Sequence, residues 1–341
     1  MDHFEAVPFE PPTNAPAFTL SSWFDVPSDS PIPLYLYRDH WDLPGRPQLW
    51  EAARLTRAIY LYREKATQWT VLVKFYREKV SDPVWAERHA TNEFECTRRA
   101  QSFLPDPALR APRTLARRRD VLFLEHVDGL TLEDAAAIRR TRPGMLLRVL
   151  EDTARLLASL HVSGRTPESE PDLGWDVGRA HAYVGDLSHA GVLKDDTLVS
   201  EALHRLIDRW AADPAMAEFV PGWIHGDATT SNFIVAHAGG LVAIDWERMR
   251  EADPASEVGR LLAEVTHAIL RYGGNSDEAS EVDVFTRSAY AGALPDDWDA
   301  DALLHRSTFH QASSTLRIAR NGWLTRLERM GMVAQAMALL A

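Results

Sequence analysis

The spacing of apolar residues changes along the chain, and the change divides it. Pro33-Leu34-Tyr35-Leu36-Tyr37-Arg38, Ala58-Ile59-Tyr60-Leu61-Tyr62 and Thr70-Val71-Leu72-Val73-Lys74-Phe75-Tyr76 are short and rich in β-branched and aromatic residues. They predict strands of an antiparallel sheet, the last two joined by the polar link Arg63 to Thr67. Ser81-Asp82-Pro83 offers an N-cap followed by proline at the first helical position. The helix it predicts runs to about Phe103 with Glu93, Cys96, Ala100 and Phe103 on one stripe. Val121-Leu122-Phe123-Leu124 predicts another strand, and Glu125-His126-Val127-Asp128-Gly129 a turn that ends it. Beyond that turn the apolar period is helical, in Met145, Leu146, Val149, Leu150, Leu157 and Leu160 and again in Leu261, Leu262, Val265 and Ile269. The pattern predicts an α+β chain. A small antiparallel-sheet lobe over 31–124 carries one main helix, a connection spans 125–129, and a larger, mostly helical lobe covers 130–341. Residues 1–30, rich in Pro, Ser, Asp and Asn, read as a tail or strap.

Composition narrows the classes. The 341 residues are 45% apolar and 25% charged, which suits two lobes that each bury a core. A single cysteine, Cys96, forms no internal disulfide and fits a reducing compartment, with burial on its helix as the plain role. Met1 to Pro12 is acidic and proline-rich, unlike a secretory signal, and no apolar run approaches the roughly 18 residues of a membrane span. The expectation is a cytoplasmic protein, monomer or homodimer, without a membrane partner. A net charge of −12 argues against a nucleic-acid partner, which calls for a basic stripe, and an acidic surface could suit a cationic substrate. Neither a Gly-x-x-x-x-Gly-Lys-Ser/Thr loop nor a Gly-x-Gly-x-x-Gly turn occurs.

The exception to the helical pattern carries the chemistry. His225-Gly226-Asp227-Ala228-Thr229-Thr230-Ser231-Asn232 has the order of the kinase signature, and Asp245 follows thirteen residues after Asn232. Phe233 to Ala236 and Leu241 to Ile244 are apolar runs around His237-Ala238-Gly239-Gly240, a hairpin signal. A four-residue loop faces Ala236 with Leu241 and sets Asn232 directly opposite Asp245, an amide oxygen beside a carboxylate, which is a hard-oxygen magnesium site. A two-residue turn at Gly239-Gly240 would instead oppose Asp245 to Ile234. Asp227 precedes the hairpin, where it can accept a proton from, or orient, a substrate hydroxyl. His225 reads as a brace for that loop. Upstream, Lys74 interrupts an apolar strand, as a phosphate-holding lysine does in kinases. Glu93, on the inward stripe, is preferred over Glu95 as its partner.

These motifs, with Leu160-His161-Val162-Ser163-Gly164 closing a long helix and Ile244-Asp245-Trp246-Glu247, resemble the aminoglycoside phosphotransferase and choline kinase-like family of the protein-kinase-like superfamily. The resemblance spans roughly residues 50–265. It implies a bilobal kinase-like fold with a catalytic hairpin in the helical lobe, ATP and Mg2+ as cofactors, and a small hydroxyl-bearing acceptor such as an amino sugar, aminoglycoside, sugar or amino alcohol. In that family the segment joining the lobes holds adenine through main-chain groups, which implies Glu125 and Val127. Two features depart from the family. Glu257 stands where an aspartate is frequent, and Glu51 to Arg57, between the first strands, contains no glycine, so Thr56 is the candidate phosphate contact there. Glu247, Glu251, Asp253 and Glu264 are available acids for an acceptor, and Trp175, Trp246 and Trp323 available aromatics. A nucleotide-binding pseudokinase and a metal hydrolase using His225, Asp227 and Asp245 remain as alternatives.

Overall fold

A computed structural model describes residues 22–27, 30–39, 49–169, 172–193 and 197–341, so most of the expected N-terminal strap lies outside the described residues. The chain divides into two compact units, the first formed by residues up to Gln101 with Ala111–Val127, the second by Ser102–Arg110 and Asp128–Ala341.

The first unit is a sheet buried on both faces. Its described elements are β1 (Phe24–Val26), α1 (Pro31–Asp39), β2 (Trp50–Arg54), β3 (Ile59–Glu64), β4 (Thr70–Phe75) and α2 (Pro83–Phe103), followed, after β5 (Leu109–Arg110) of the second unit, by β6 (Thr114–Arg118) and β7 (Val121–Glu125). The strands lie in the order β1-β2-β3-β4-β7-β6, every pair antiparallel. Strand alternation sends Val71, Val73 and Phe75 to one face, with Tyr60, Tyr62 and Phe123. Leu72, Leu122 and Leu124 go to the other, against Ala86 and Ala90 of α2. Asp82 caps α2 by accepting from the Trp85 amide at 3.0 Å.

Two expectations fail here. The segment read as a first strand, Pro33 to Arg38, lies in helix α1. Ile32, Tyr35 and Leu36 follow an i, i+3, i+4 spacing and pack on the sheet's first face, and both prolines sit in the first turn, where their missing N–H groups cost nothing. Aromatic composition suggested a strand, and a helical stripe overrode it. Conversely, Glu51 to Arg54 is not loop but β2, in register with β3 from Trp50 opposite Glu64 to Arg54 opposite Tyr60. Its alanines have weak strand preference. Burial of Trp50, Ala52 and Ala53 and the cross-strand Arg63–Glu51 bond (2.6 Å) hold it in the sheet.

In the second unit, β5, β11 (Leu241–Ala243), β10 (Phe233–Ala236) and β8 (Gly129–Thr131) form a four-stranded sheet in that order, with β5 parallel to β11. A separate pair joins β9 (Gly222–Ile224) and β12 (Arg250–Ala252). The helices are α3 (Leu132–Ala137), α4 (Met145–Ser163), α5 (Gly174–His189), α6 (Thr197–Ala211), α7 (Pro254–Arg271), α8 (Ser276–Ala293), α9 (Ala300–Ala319) and α10 (Arg326–Leu340). The helical stripes read from the sequence are the buried faces: Leu146, Val149, Leu150, Leu157 and Leu160 on α4, Leu261, Leu262, Val265 and Ile269 on α7. Asp253 caps α7 through the Ala255 amide (3.0 Å), with Pro254 at the first position. Gly259 brings α7 against α9 so closely that a Cβ there would lie 2.5 Å from the Ser307 carbonyl oxygen. Among the described residues no helix is long and apolar enough to cross a membrane.

Candidate active site

In the first unit, β4 and α2 bring Lys74 and Glu93 together. Lys74 Nζ lies 2.6 Å from Glu93 Oε1, both groups buried, and the Tyr76 hydroxyl donates to Glu93 Oε2. An ammonium in an apolar strand is tolerable only with such a partner. Glu93 packs inward while Glu95 is exposed, as the α2 stripe predicts. Burial pushes the Cys96 thiol up, away from reactivity. Thr56 sits at the β2–β3 turn, where the Leu55 and Thr56 amides both donate to the Ile59 carbonyl (2.9 and 3.2 Å) and Thr56 Oγ1 accepts from Ala58 N at 3.3 Å. The turn spends these amides on itself. Glu125 ends β7, its amide donating to the Arg113 carbonyl and its carboxylate accepting from the Arg113 amide, both at 2.9 Å; Val127 is the last residue of this unit.

In the second unit, the hairpin differs from the expected register by one residue. Phe233 opposes Ala243, Ile234 Val242 and Val235 Leu241, so Asn232 faces Ile244 rather than Asp245, and the Ile244 amide donates to the Asn232 carbonyl at 2.9 Å. The cause is a glycine bulge. Gly239 N donates to Ala236 O (2.8 Å), and Ala236 N to Gly240 O (3.0 Å), with Gly240 at φ +82°. Three residues, His237 to Gly239, thus make the turn, with left-handed Gly239 (φ +101°) as the bulge residue and Gly240 paired with Ala236. Asp245 leaves the strand in left-handed backbone, φ +68° and ψ +59°, a conformation that costs a non-glycine residue about 1 kcal/mol or more. Its direction is therefore set by this bend, not by strand alternation.

The loop before the hairpin is pinned at nearly every residue. His225 is fully buried, its ring 4.3 Å from that of buried Trp246; Nε2 donates to the Ile244 carbonyl (2.8 Å) and Nδ1 accepts from the Asp227 amide (3.2 Å). The Asn232 side-chain amide donates to the Asp227 carbonyl at 2.9 Å. Gly226 has φ +80°, and a Cβ on it would lie 2.1 Å from the Arg248 carbonyl oxygen, so only glycine fits. Asp227 Oδ1 is held 2.7 Å from an Arg260 nitrogen and 3.7 Å from Arg248, and Arg260 also donates to the Gly226 carbonyl at 3.0 Å.

Glu257, the departure from the family pattern, turns out to brace this loop. Its two oxygens accept from the Gly226 amide (2.8 Å) and the His225 amide (3.0 Å), and the second also from His161 Nε2 (2.9 Å), whose Nδ1 pairs with the Tyr290 hydroxyl at 2.7 Å. Burial pushes this carboxylate up, but the hydrogen bond and charge of His161, with His225, outweigh it and leave the pKa below its ordinary value. Sequence reasoning missed Arg260 and the His161–Tyr290 support. One signal was present: Glu257 and Arg260 are three apart on α7, which sets both on the face toward the loop.

The acids expected to meet an acceptor are engaged elsewhere. Asp253 caps α7 and pairs with Arg306 at 2.7 Å, Glu264 pairs with Arg317, and Glu251 accepts from the Ser169 hydroxyl; Glu247 is half-buried after the bend. A cavity of about 400 Å³ abuts the loop, lined by Gly226, Glu257, Arg248, Arg260 and exposed Trp175. A larger one, about 630 Å³, lies among α7 to α10 around His267 and Trp323 and touches none of these loop residues.

Comparison with known proteins gives the family and the fold. A family model described as the phosphotransferase enzyme family matches residues 57–304. No curated protein sequence matches the chain. Among solved structures the chain is similar to an ethanolamine kinase of Plasmodium vivax, at 13% identity and TM-score 0.52 over 85% of this chain and 82% of that one. It is also similar to an aminoglycoside phosphotransferase from Alicyclobacillus acidocaldarius (14%, 0.53, 84% and 88%) and to ADP-bound aminoglycoside phosphotransferase APH(2'')-Ib (12%, 0.51, 90% and 95%). At these identities the structural likeness speaks for a kinase-like fold. With the family match covering most of its length, the chain belongs to the phosphotransferase enzyme family.

Proposed function

We propose that this protein transfers the γ-phosphoryl group of ATP to a hydroxyl of a small polar molecule. The observation that carries the reading is the Asp227 loop: its backbone is clamped by Glu257, His225 and Asn232, and it borders an open cavity. Positioning of this kind is the main thing phosphoryl transfer asks of a protein, because its loose transition state needs little covalent help. With Oδ1 of Asp227 anchored by Arg260, the other oxygen is left to orient the acceptor hydroxyl and take its proton as the new P–O bond forms and ADP departs. Lys74, fixed by Glu93, is the cation assigned to the nucleotide phosphates, and Glu125 and Val127 the main-chain contacts for adenine.

Asn232 and Asp245 fit magnesium by the chemistry of their donors. The Asn232 nitrogen is occupied by the Asp227 carbonyl, which leaves the amide oxygen, and a carboxylate follows at the left-handed bend. Bound there, the ion would supply neutralisation of phosphate charge. Asp227→Ala is expected to abolish acceptor-dependent ATP consumption while titration with nucleotide still shows binding; full turnover in that variant would remove Asp227 from the reaction. The self-bonded amides at Thr56 favour the pseudokinase alternative, and magnesium-dependent ATP consumption with any acceptor excludes it.

A further inference from the structure

The cavity beside the Asp227 loop is basic, although the chain as a whole carries −12. Arg179 from α5, Arg248 and Arg250 after the hairpin, Arg260 from α7 and Arg317 from α9 all line it. Three of them meet carboxylates: Arg260 and Arg248 share Asp227, and Arg317 pairs with Glu264. Arg179 and Arg250 have no carboxylate at ion-pair distance among the described residues. Instead their guanidinium groups lie on the Trp175 ring, at 4.6 and 4.8 Å from its centroid, and Arg179 Nε also donates to the Tyr183 hydroxyl at 3.0 Å. Arg250 reaches the loop itself, one of its nitrogens lying 3.0 Å from where a Cβ on Gly226 would be.

Among the described residues the buried Nε atoms of Arg260 and Arg317 have no hydrogen-bond partner, and His310 Nε2 lies 3.9 Å from Asp253 Oδ2. These nitrogens are covered by protein, so the groups an oxyanion in the cavity can meet are the guanidinium ends of Arg179 and Arg250 beside Trp175. Two acids, Asp176 and Glu257, share the wall with the five arginines. Glu257 is consumed by two backbone amides and His161, and burial raises the Asp176 pKa against the pull of His310, Arg250 and Arg179. Crowding shows in Arg260, whose pKa is lowered by burial and by the neighbouring charge of Arg317.

We propose that this cavity admits an acceptor bearing an anionic group, a carboxylate or a phosphate ester, which Arg179 and Arg250 hold over Trp175 while the acceptor's hydroxyl reaches Asp227. The inference rests on the phosphotransferase reading and reverses the expectation of a cationic substrate drawn from net charge. Guanidinium pairs are suited to planar or tetrahedral oxyanions through paired N–H donors, and the same field repels polycations.

Two measurements on the full chain separate this inference from the reading beneath it. The first is calorimetric titration with inorganic sulfate, with and without saturating magnesium ADP, so that binding on the nucleotide side is distinguished from binding in the cavity. Sulfate is expected to bind with nucleotide present, about tenfold more weakly in Arg179→Gln/Arg250→Gln, and within about threefold of the parent in Arg179→Lys/Arg250→Lys. Equal affinity in the Gln and parent proteins, or binding that ADP abolishes, overturns the anion site. The second is ATP consumption with matched acceptors: D-gluconate against D-glucitol, D-glycerate against glycerol, D-glucose 6-phosphate against D-glucose, with kanamycin and choline as cations. The anionic member of a pair is expected to be used at least about tenfold better, an advantage lost in the Gln variant. Turnover that favours kanamycin, choline or a neutral member sinks the inference and leaves the phosphotransferase reading intact. Arginine-dependent sulfate binding without ATP consumption on any acceptor supports the anion site and counts against the reading.

Discussion

Glu257→Asp tests how the Asp227 loop is held, because it keeps the charge and changes only the reach. The carboxylate would withdraw by roughly one C–C bond, about 1.5 Å, so bonds now at 2.8 and 3.0 Å would open beyond any hydrogen-bond distance. Helix α7 cannot slide to compensate, since Gly259 already sits in backbone contact with Ser307 and Gln311 of α9. The buried amides of His225 and Gly226 would lose their acceptor together with His161. Hydrogen bonds to a buried charge contribute about 1.5–3 kcal/mol each, so loss of the two amide bonds costs about 3 kcal/mol at the low end. For a unit of this size each kcal/mol lowers the melting temperature by about 2–4 °C, which predicts a fall of about 6–12 °C by scanning calorimetry. Turnover at 25 °C, where the protein stays folded, should drop by about a hundredfold because Asp227 directly follows the two released residues. A Glu257→Asp protein that melts with the parent and keeps its rate would show that something other than Glu257 satisfies those amides.

Gly226→Ala places a methyl 2.1 Å from the Arg248 carbonyl at φ +80° and should cost more than about 3 kcal/mol in urea denaturation; a small effect would mean the loop is free to move. Lys74→Met strands a buried Glu93 carboxylate and is expected to cost about 3–5 kcal/mol, much of it regained in Lys74→Met/Glu93→Leu, and additive losses in that cycle would refute the pairing. His267 has a pKa held below its ordinary 6.5 by burial and then by Arg271. It stays neutral in the fold and protonates on unfolding, so the stability it contributes is complete above pH 6.5 and lost as pH falls below that value. His267→Phe should flatten the stability profile between about pH 7 and 5, while His204, also lowered by burial, keeps its share.

What was legible in the sequence was what short-range periodicity encodes. The β4 and β7 runs, the α2 stripe that chose Glu93 over Glu95, and the buried faces of α4 and α7 repeat within one turn or one pleat, and the structure holds them as read. Composition without period misled. Pro33 to Arg38 has strand-like residues on a helical spacing, and β2 has helix-like alanines held in a sheet by Trp50 and Glu51. The hairpin failed by one residue because Gly239-Gly240 can close a loop in several ways; here Gly240 pairs with Ala236 and packs on Ala108, whose carbonyl oxygen lies 2.7 Å from a Cβ on Gly240, a contact made across 132 residues of chain.

The charge of the cavity was beyond the sequence for a related reason. Net charge sums over the whole surface, whereas an acceptor meets only the local field, and low-dielectric walls strengthen that field against the distant acids. The five arginines come from α5, the hairpin exit, α7 and α9, so no window of sequence contains them together. Nor does any one of them stand out, since a lone arginine on a helix is ordinarily solvated. Only the fold converts them into one site, and it does so with the element that braces the loop: α7 carries Glu257 for the amides and Arg260, one turn on, for Asp227 and the cavity. Loop geometry and acceptor field are thereby tied to a single helix, so a substitution that shifts α7 against α9 should change turnover and anion binding together.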